Sequence, residues 1–210
     1  MSEEQKRLLE QRLWGVANVL RGKMNADEYK NYILGFIFYK YLSEKLEQYV
    51  NEKLLINDKI NFVDVKENTK EGKEYLEQIE SACVDYLGFF LKPTEMFSYI
   101  VKKGKGNTSG QKTFILEELK NILYSIENTS MGTASEDDFK GLFDDVDLTS
   151  SKLGSSENKK NDVIVEVLAL LSGIEFSIED SKNDLLGDAY EYLIGEFAAS
   201  AGKKGGEFYT

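Results

Sequence analysis

In residues 4–21, EQKRLLEQRLWGVANVLR, Leu9, Leu13, Val16 and Leu20 recur at intervals of three and four. That spacing lines one face of an α-helix, and Gly22 ends it. Asn25 with Glu28 three residues on is a capping-box pattern, and it predicts a second helix from about Ala26 to Leu55. Tyr29, Ile33, Phe36, Ile37, Tyr41 and Leu42 give that helix a wide apolar stripe. A helix apolar over so much of its surface is buried between neighbours.

Residues 56–72 are polar and irregular, and a third helix is expected over 73–91. Lys92-Pro93-Thr94-Glu95 breaks it and starts a short helix through Val101. GKGNTSG, residues 104–110, has the composition of a flexible loop. Leu116, Leu119, Ile122, Leu123 and Ile126 predict a helix over 113–128. Residues 129–162 mix Ser, Asp, Gly and Lys around a small apolar anchor of Phe139, Leu142 and Phe143. A helix over 163–171 is closed by Gly173. A last one follows the capping-box pair Ser181 and Asp184, with Leu185, Ala189, Tyr192, Leu193 and Phe197 on one stripe and Gly202 as its C-cap. No period-two strand pattern and no internal repeat is visible. The expected fold is all-α, with a loop-rich middle.

Composition narrows this further. The only proline among 210 residues is Pro93, which favours long uninterrupted helices. No run approaches the length of a transmembrane helix, and the charged N-terminus has no apolar signal segment. A single cysteine, Cys83, excludes an internal disulfide and fits a reducing cytoplasm. With no histidine, a zinc site is not expected. The net charge is −11, and only residues 1–50, with eight Lys/Arg against seven Asp/Glu, are not acidic. Phosphate neutralisation supplies most non-specific DNA affinity, so such a chain needs a partner subunit or a local basic patch to hold DNA.

Three patterns suggest chemistry. GNTSGQKT, residues 106–113, nearly matches a P-loop, but Gln111 stands where glycine must precede lysine, so the phosphate-cradling backbone would be mis-set. Gly104, Gly106 and Gly110 likewise miss a dinucleotide-binding spacing by one residue. The aromatic run Tyr29, Tyr32, Phe36, Phe38, Tyr39 and Tyr41 could stack bases, yet its helical spacing favours a place in the core. Arg21 and Lys40 lie beside that apolar surface, each open to a structural, ion-paired or nucleic-acid-facing role. The many carboxylates read as solvated helix faces.

Two stretches carry a specific resemblance. LWGVANVLRGKMNADEYKNYILGFIFYKYLSE, residues 13–44, resembles the N-terminal helical domain of the modification (methyltransferase, HsdM) subunit of type I restriction-modification systems. The matching positions are Leu13, Trp14, Leu20, Arg21, Gly22, Glu28, Tyr29, Leu34, Gly35, Phe38, Lys40, Tyr41, Leu42 and Ser43. LLGDAYEYLIGEFAASAGKKGGEFYT, residues 185–210, is similar to the entry of the same family's N6-adenine methyltransferase domain.

The resemblance implies a helical domain over about residues 1–165, followed by the start of a methyltransferase domain over 166–210. It implies that the intact protein transfers a methyl group from S-adenosylmethionine to adenine N6 in DNA, with the base flipped out of the duplex. Glu207, Phe208, Tyr209 and Thr210 are the implied cofactor contacts: aromatic stacking surface and a hydroxyl for the methionine end. The family's Asn-Pro-Pro-aromatic catalytic loop is absent, since Pro93 stands alone, so this stretch by itself is expected to be inactive. Implied partners are a specificity subunit, a second modification subunit, a restriction subunit and DNA, in the cytoplasm and without a membrane. The helical domain is expected to engage DNA and help sense methylation state, with Arg21, Lys23 and Lys40 as candidate DNA contacts. A non-enzymatic helical adaptor that binds partner subunits is the alternative.

Overall fold

The computed structural model describes residues 3–58, 60–106, 113–134 and 136–174. Among them the regular structure is helical, with no strand: α1 Glu3–Leu20, α2 Ala26–Tyr49, α3 Lys70–Leu87, α4 Phe97–Lys105, α5 Leu116–Ser130, α6 Glu136–Phe139 and α7 Glu157–Leu171. The helix expected after Ser181, with its stripe and caps, lies outside the described residues. The chain divides into two compact units, residues 39–148 and the two flanking stretches, with the division inside α2.

In the flanking unit α1 packs on α7. Leu13, Val16 and Leu20 of α1 and Ile164, Val167, Leu168 and Leu171 of α7 are fully buried. Each such side chain contributes about 1.5–3 kcal/mol of transfer free energy. α7 starts six residues before its expected start, because Ser156 accepts from the Lys159 amide at 3.3 Å and caps a polar first turn. The hydrophobic pattern begins only at Val163, so periodicity alone could not show that turn. In the first half of α2, Tyr29, Tyr32, Ile33, Phe36 and Ile37 are buried, as the wide stripe required.

In residues 39–148, α2 runs on through a π-helical turn, Val50–Leu54, to the expected limit at Leu55. There the Leu55 amide donates to the Val50 carbonyl at 2.8 Å. Asn51 Oδ1 accepts from the Phe62 amide at 2.7 Å and fixes a short 3-10 turn, Phe62–Asp64. α3 begins at Lys70, not 73, because Thr69 caps it: its hydroxyl accepts from the Gly72 amide at 3.0 Å. A methyl group on buried Gly72 would lie 1.9 Å from the Lys66 carbonyl oxygen, so only glycine fits there.

α3 ends at Leu87 rather than 91. Gly88 turns left-handed at φ 83°, and Phe89, Phe90 and Leu91 leave the helix to be buried. The Phe90 amide donates to Thr129 Oγ1 at 3.1 Å. α5 buries Leu116, Leu119, Ile122, Leu123 and Ile126, the five positions of the sequence pattern. Phe139 and Phe143 are buried in the middle segment, and the Phe139 ring sits 5.3 Å from Phe89.

Candidate functional site

The first candidate residues lie at the elbow between α1 and α2. The Arg21 amide still donates to the Ala17 carbonyl at 2.8 Å, as in the helix. Gly22 then adopts φ 84°, a conformation that costs other residues about 1–2 kcal/mol, and reverses the chain. The Lys23 amide returns to the Leu20 carbonyl at 3.1 Å. The expected capping box closes in both directions: the Glu28 amide donates to Asn25 Oδ1 at 3.0 Å, and the Asn25 amide to Glu28 Oε2 at 3.1 Å. The other Glu28 oxygen holds the Lys152 ammonium. Hydrogen bonds from Lys152 and then the Asn25 amide hold the Glu28 carboxyl below its usual range.

On the outside of this elbow the Arg21 guanidinium lies 4.3 Å from the centre of the Trp14 ring, which is 43% exposed. Such stacking holds a flexible cation in place while leaving donors free for another group. Lys23 is exposed one residue beyond Gly22. Arg12 lies against the end of α7, where a methyl on Gly173 would meet its guanidinium at 2.8 Å. A cation there faces the negative end of the helix dipole.

Lys40 is placed differently. It is 2% exposed, its ammonium paired with Glu44 one turn along α2 and 5.9 Å from the centre of the Phe97 ring. Around it, Ser43 Oγ accepts from the Phe97 amide at 2.8 Å. The Tyr39 hydroxyl donates to the Glu95 carbonyl at 2.6 Å. Burial, then the Glu95 and Glu118 carboxylates, push the Tyr39 phenol well above its ordinary range. Of the three roles open to Lys40 from the sequence, the structure shows the ion-paired one. A lysine buried in this way offers no donor to a DNA phosphate.

The remaining chemistry is sparse. Cys83 is buried, and desolvation followed by the Glu80 charge pushes its thiol up to about 12, so it is no nucleophile. No group of acidic, cysteine or histidine side chains able to hold a metal occurs among the described residues. No helix among them is long and apolar enough to cross a membrane. Of the near-P-loop, residues 107–112 lie outside the described residues; the Thr113 amide returns to the Gly104 carbonyl at 3.2 Å. Glu207, Phe208, Tyr209 and Thr210, the implied cofactor contacts, also lie outside them.

Known proteins settle the family. The profile of the HsdM N-terminal domain matches residues 9–171, and that of the N-6 DNA Methylase family matches residues 181–210. The chain is 34% identical over 211 residues to the type I restriction enzyme MpnII methylase subunit of Mycoplasma pneumoniae, covering 99% of this chain and 38% of that protein. It is 26% identical over 205 residues to the type I restriction enzyme MjaIX methylase subunit of Methanocaldococcus jannaschii, covering 96% of this chain and 33% of that one. The crystal structure of a type I restriction-modification methyltransferase subunit from Streptococcus thermophilus superimposes with a TM-score of 0.68 at 32% identity, over 92% of this chain and 39% of that one. The chain thus spans well under half the length of these relatives. With an all-α fold and both sequence signatures in order, it belongs to the methyltransferase-subunit family of type I restriction-modification systems and corresponds to the N-terminal region of such a subunit.

Proposed function

We propose that this chain is the N-terminal part of an S-adenosylmethionine-dependent DNA methyltransferase subunit that modifies adenine at N6. In this reading the helical domain, about residues 1–165, engages DNA and partner subunits and helps sense the methylation state of the site. Residues 166–210 open the methyltransferase domain, with α7 continuing across that division as far as Leu171. The observation that carries the reading is the ordered pair of family matches, 9–171 then 181–210, within one stretch that aligns end to end with a methylase subunit.

The cofactor reading rests on donor chemistry in the sequence. Phe208 and Tyr209 supply stacking faces, Thr210 a hydroxyl and Glu207 a carboxylate, after glycines that let the backbone approach closely. Bound S-adenosylmethionine would supply the methyl group. These residues would orient it, and the acceptor loop would come from elsewhere in the intact subunit. Partner subunits would include a specificity subunit that reads the target, a second modification subunit and a restriction subunit. For DNA contact, Arg21 and Lys23 are the exposed candidates at the elbow, and Lys40 is left to the core.

The test is methyl transfer by the whole subunit assembled with its specificity subunit, using labelled cofactor and nuclease digestion of the product. N6-methyladenine is expected, and residues 1–210 alone should give none. Label on cytosine would defeat the adenine assignment, and no transfer by the assembled enzyme would defeat the proposal and favour the adaptor reading.

A further inference from the structure

One stretch of this acidic chain is locally basic. Between Glu95 and Glu117 lie 21 residues with four lysines and no carboxylate, in a protein of net charge −11. Its first part is α4, whose inward face buries Phe97, Ile100, Val101 and Gly104. Its outward face shows Ser98, Tyr99, Lys102 and Lys105, all exposed. The Thr113–Gly104 hydrogen bond of 3.2 Å brings the chain back beside the end of α4, followed by Phe114, which is 44% exposed. Lys103 is taken by Glu118 at 2.5 Å, which ties α4 to α5. Glu95 Oε2 is taken by the Lys92 amide at 2.9 Å. Glu118 and Glu95, the carboxylates nearest the stretch that are not exposed, are therefore engaged, and Glu117 at its end is exposed.

We propose that Tyr99, Lys102, Lys105 and Phe114 form a surface that tracks the phosphate backbone of duplex DNA. The inference rests on the reading that the helical domain engages DNA, and it names the surface. Lysines in a last turn also offset the helix dipole. That role requires neither two exposed aromatic side chains between and beside them nor an acid-free stretch twice the length of the helix. Basic residues along one face of a helix are the electrostatic footprint of nucleic-acid binding, and an exposed tyrosine hydroxyl can add a hydrogen bond to a phosphate. From Ser98 to Lys105 the stripe rises roughly 10 Å, about three phosphate steps along one strand. The flexible lysine stems adapt to that spacing, and the contact is blind to sequence.

The experiment measures binding of the 210-residue chain to a fluorescent 30-base-pair duplex at several salt concentrations, by anisotropy. Each phosphate contact adds about 0.9 to the slope of log affinity against log salt. Lys102→Ala with Lys105→Ala should lower that slope by about 2 and the low-salt affinity by about tenfold, equally for unrelated sequences. Both residues are exposed in a helix, so unchanged circular dichroism is expected and guards against misfolding. Tyr99→Ala should weaken binding at unchanged slope. If the parent binds and the double variant keeps its slope, the patch is wrong while DNA engagement stands, and loss in Arg21→Glu with Lys23→Glu would move the contact to the elbow. If the parent does not bind at low salt, both the patch and the DNA reading fall. Competition by polyglutamate as effective as by DNA would assign the surface to an acidic protein and also overturn the proposal.

Discussion

Lys40 and Glu44 offer a sharp test of how this fold handles buried charge. Lys40 is 2% exposed and Glu44 34% exposed, so the two ends of one ion pair stand in different dielectric surroundings. Glu44→Ala removes the carboxylate paired with a nearly fully buried ammonium. Breaking a buried pair from one side costs about 3–5 kcal/mol, and the partial exposure of Glu44 moves the expectation to about 2–3 kcal/mol. Lys40→Met removes the buried charge, keeps most of the aliphatic stem, and leaves a carboxylate that water already reaches. Its cost should stay within about 1 kcal/mol. Urea unfolding at constant slope measures both, and Glu44→Ala should also melt roughly 4–12 °C lower, at about 2–4 °C per kcal/mol for a chain of this size. If Lys40→Met proves the more damaging, the ammonium is not the costly member and the reasoning fails. If it instead spares stability and cuts DNA affinity, the lysine reaches phosphate after all.

Three further outcomes are expected. Gly72→Ala gains about 1 kcal/mol of helix propensity but drives a methyl into the Lys66 carbonyl and the Thr69 cap. A net loss of at least about 2 kcal/mol should appear in the unfolding midpoint, and an unshifted midpoint would falsify the close approach. The carboxyl of Glu28 is held below its usual value by Lys152 and the Asn25 amide, so its contribution is complete above the unfolded value. That contribution is lost as pH falls through the lower folded value. Glu28→Gln should therefore flatten the acid side of a melting-temperature profile, and a profile parallel to the parent's would remove Glu28 from the account. Cys83, buried with its thiol pushed up to about 12, should resist an aromatic disulfide reagent at pH 8 until urea unfolds the chain. Rapid labelling of the native protein would show that the packing around Cys83 opens.

The parts of the fold legible in the sequence are those written in apolar spacing. Leu13, Val16 and Leu20, the α2 stripe from Tyr29 to Ile37, and the five positions from Leu116 to Ile126 are buried where the pattern put them, while Tyr41 and Leu42 at the far end of the α2 stripe are half-buried. The capping box at Asn25 and Glu28 was readable because both partners are local. The starts of α3 and α7 were not, because Thr69 and Ser156 cap polar first turns that carry no hydrophobic signal. The end of α3 was overrun for the opposite reason. Phe89, Phe90 and Leu91 continue the apolar run after Gly88 has turned the chain, and only tertiary packing explains their burial. The fate of Lys40 was equally hidden, since Phe97, which roofs its site, is far away in sequence. The lysines of α4 are equally legible in the sequence, as a short acid-free stretch between acidic ones.

The discontinuity of the flanking unit bears on how the polypeptide is made. A ribosome delivers α1 first, yet the helix that covers its apolar face, α7, is completed about 150 residues later. At roughly 5–20 residues per second, Leu13, Val16 and Leu20 spend on the order of 8–30 s uncovered. Residues 39–148 form a compact unit of their own and can close in the interval. The nascent chain should therefore gain protease resistance from its middle outward, with α1 the last early-made segment to be shielded. Every translational pause between the two helices lengthens the time for which chaperones, or a neighbouring nascent chain, compete with α7 for the same greasy stripe.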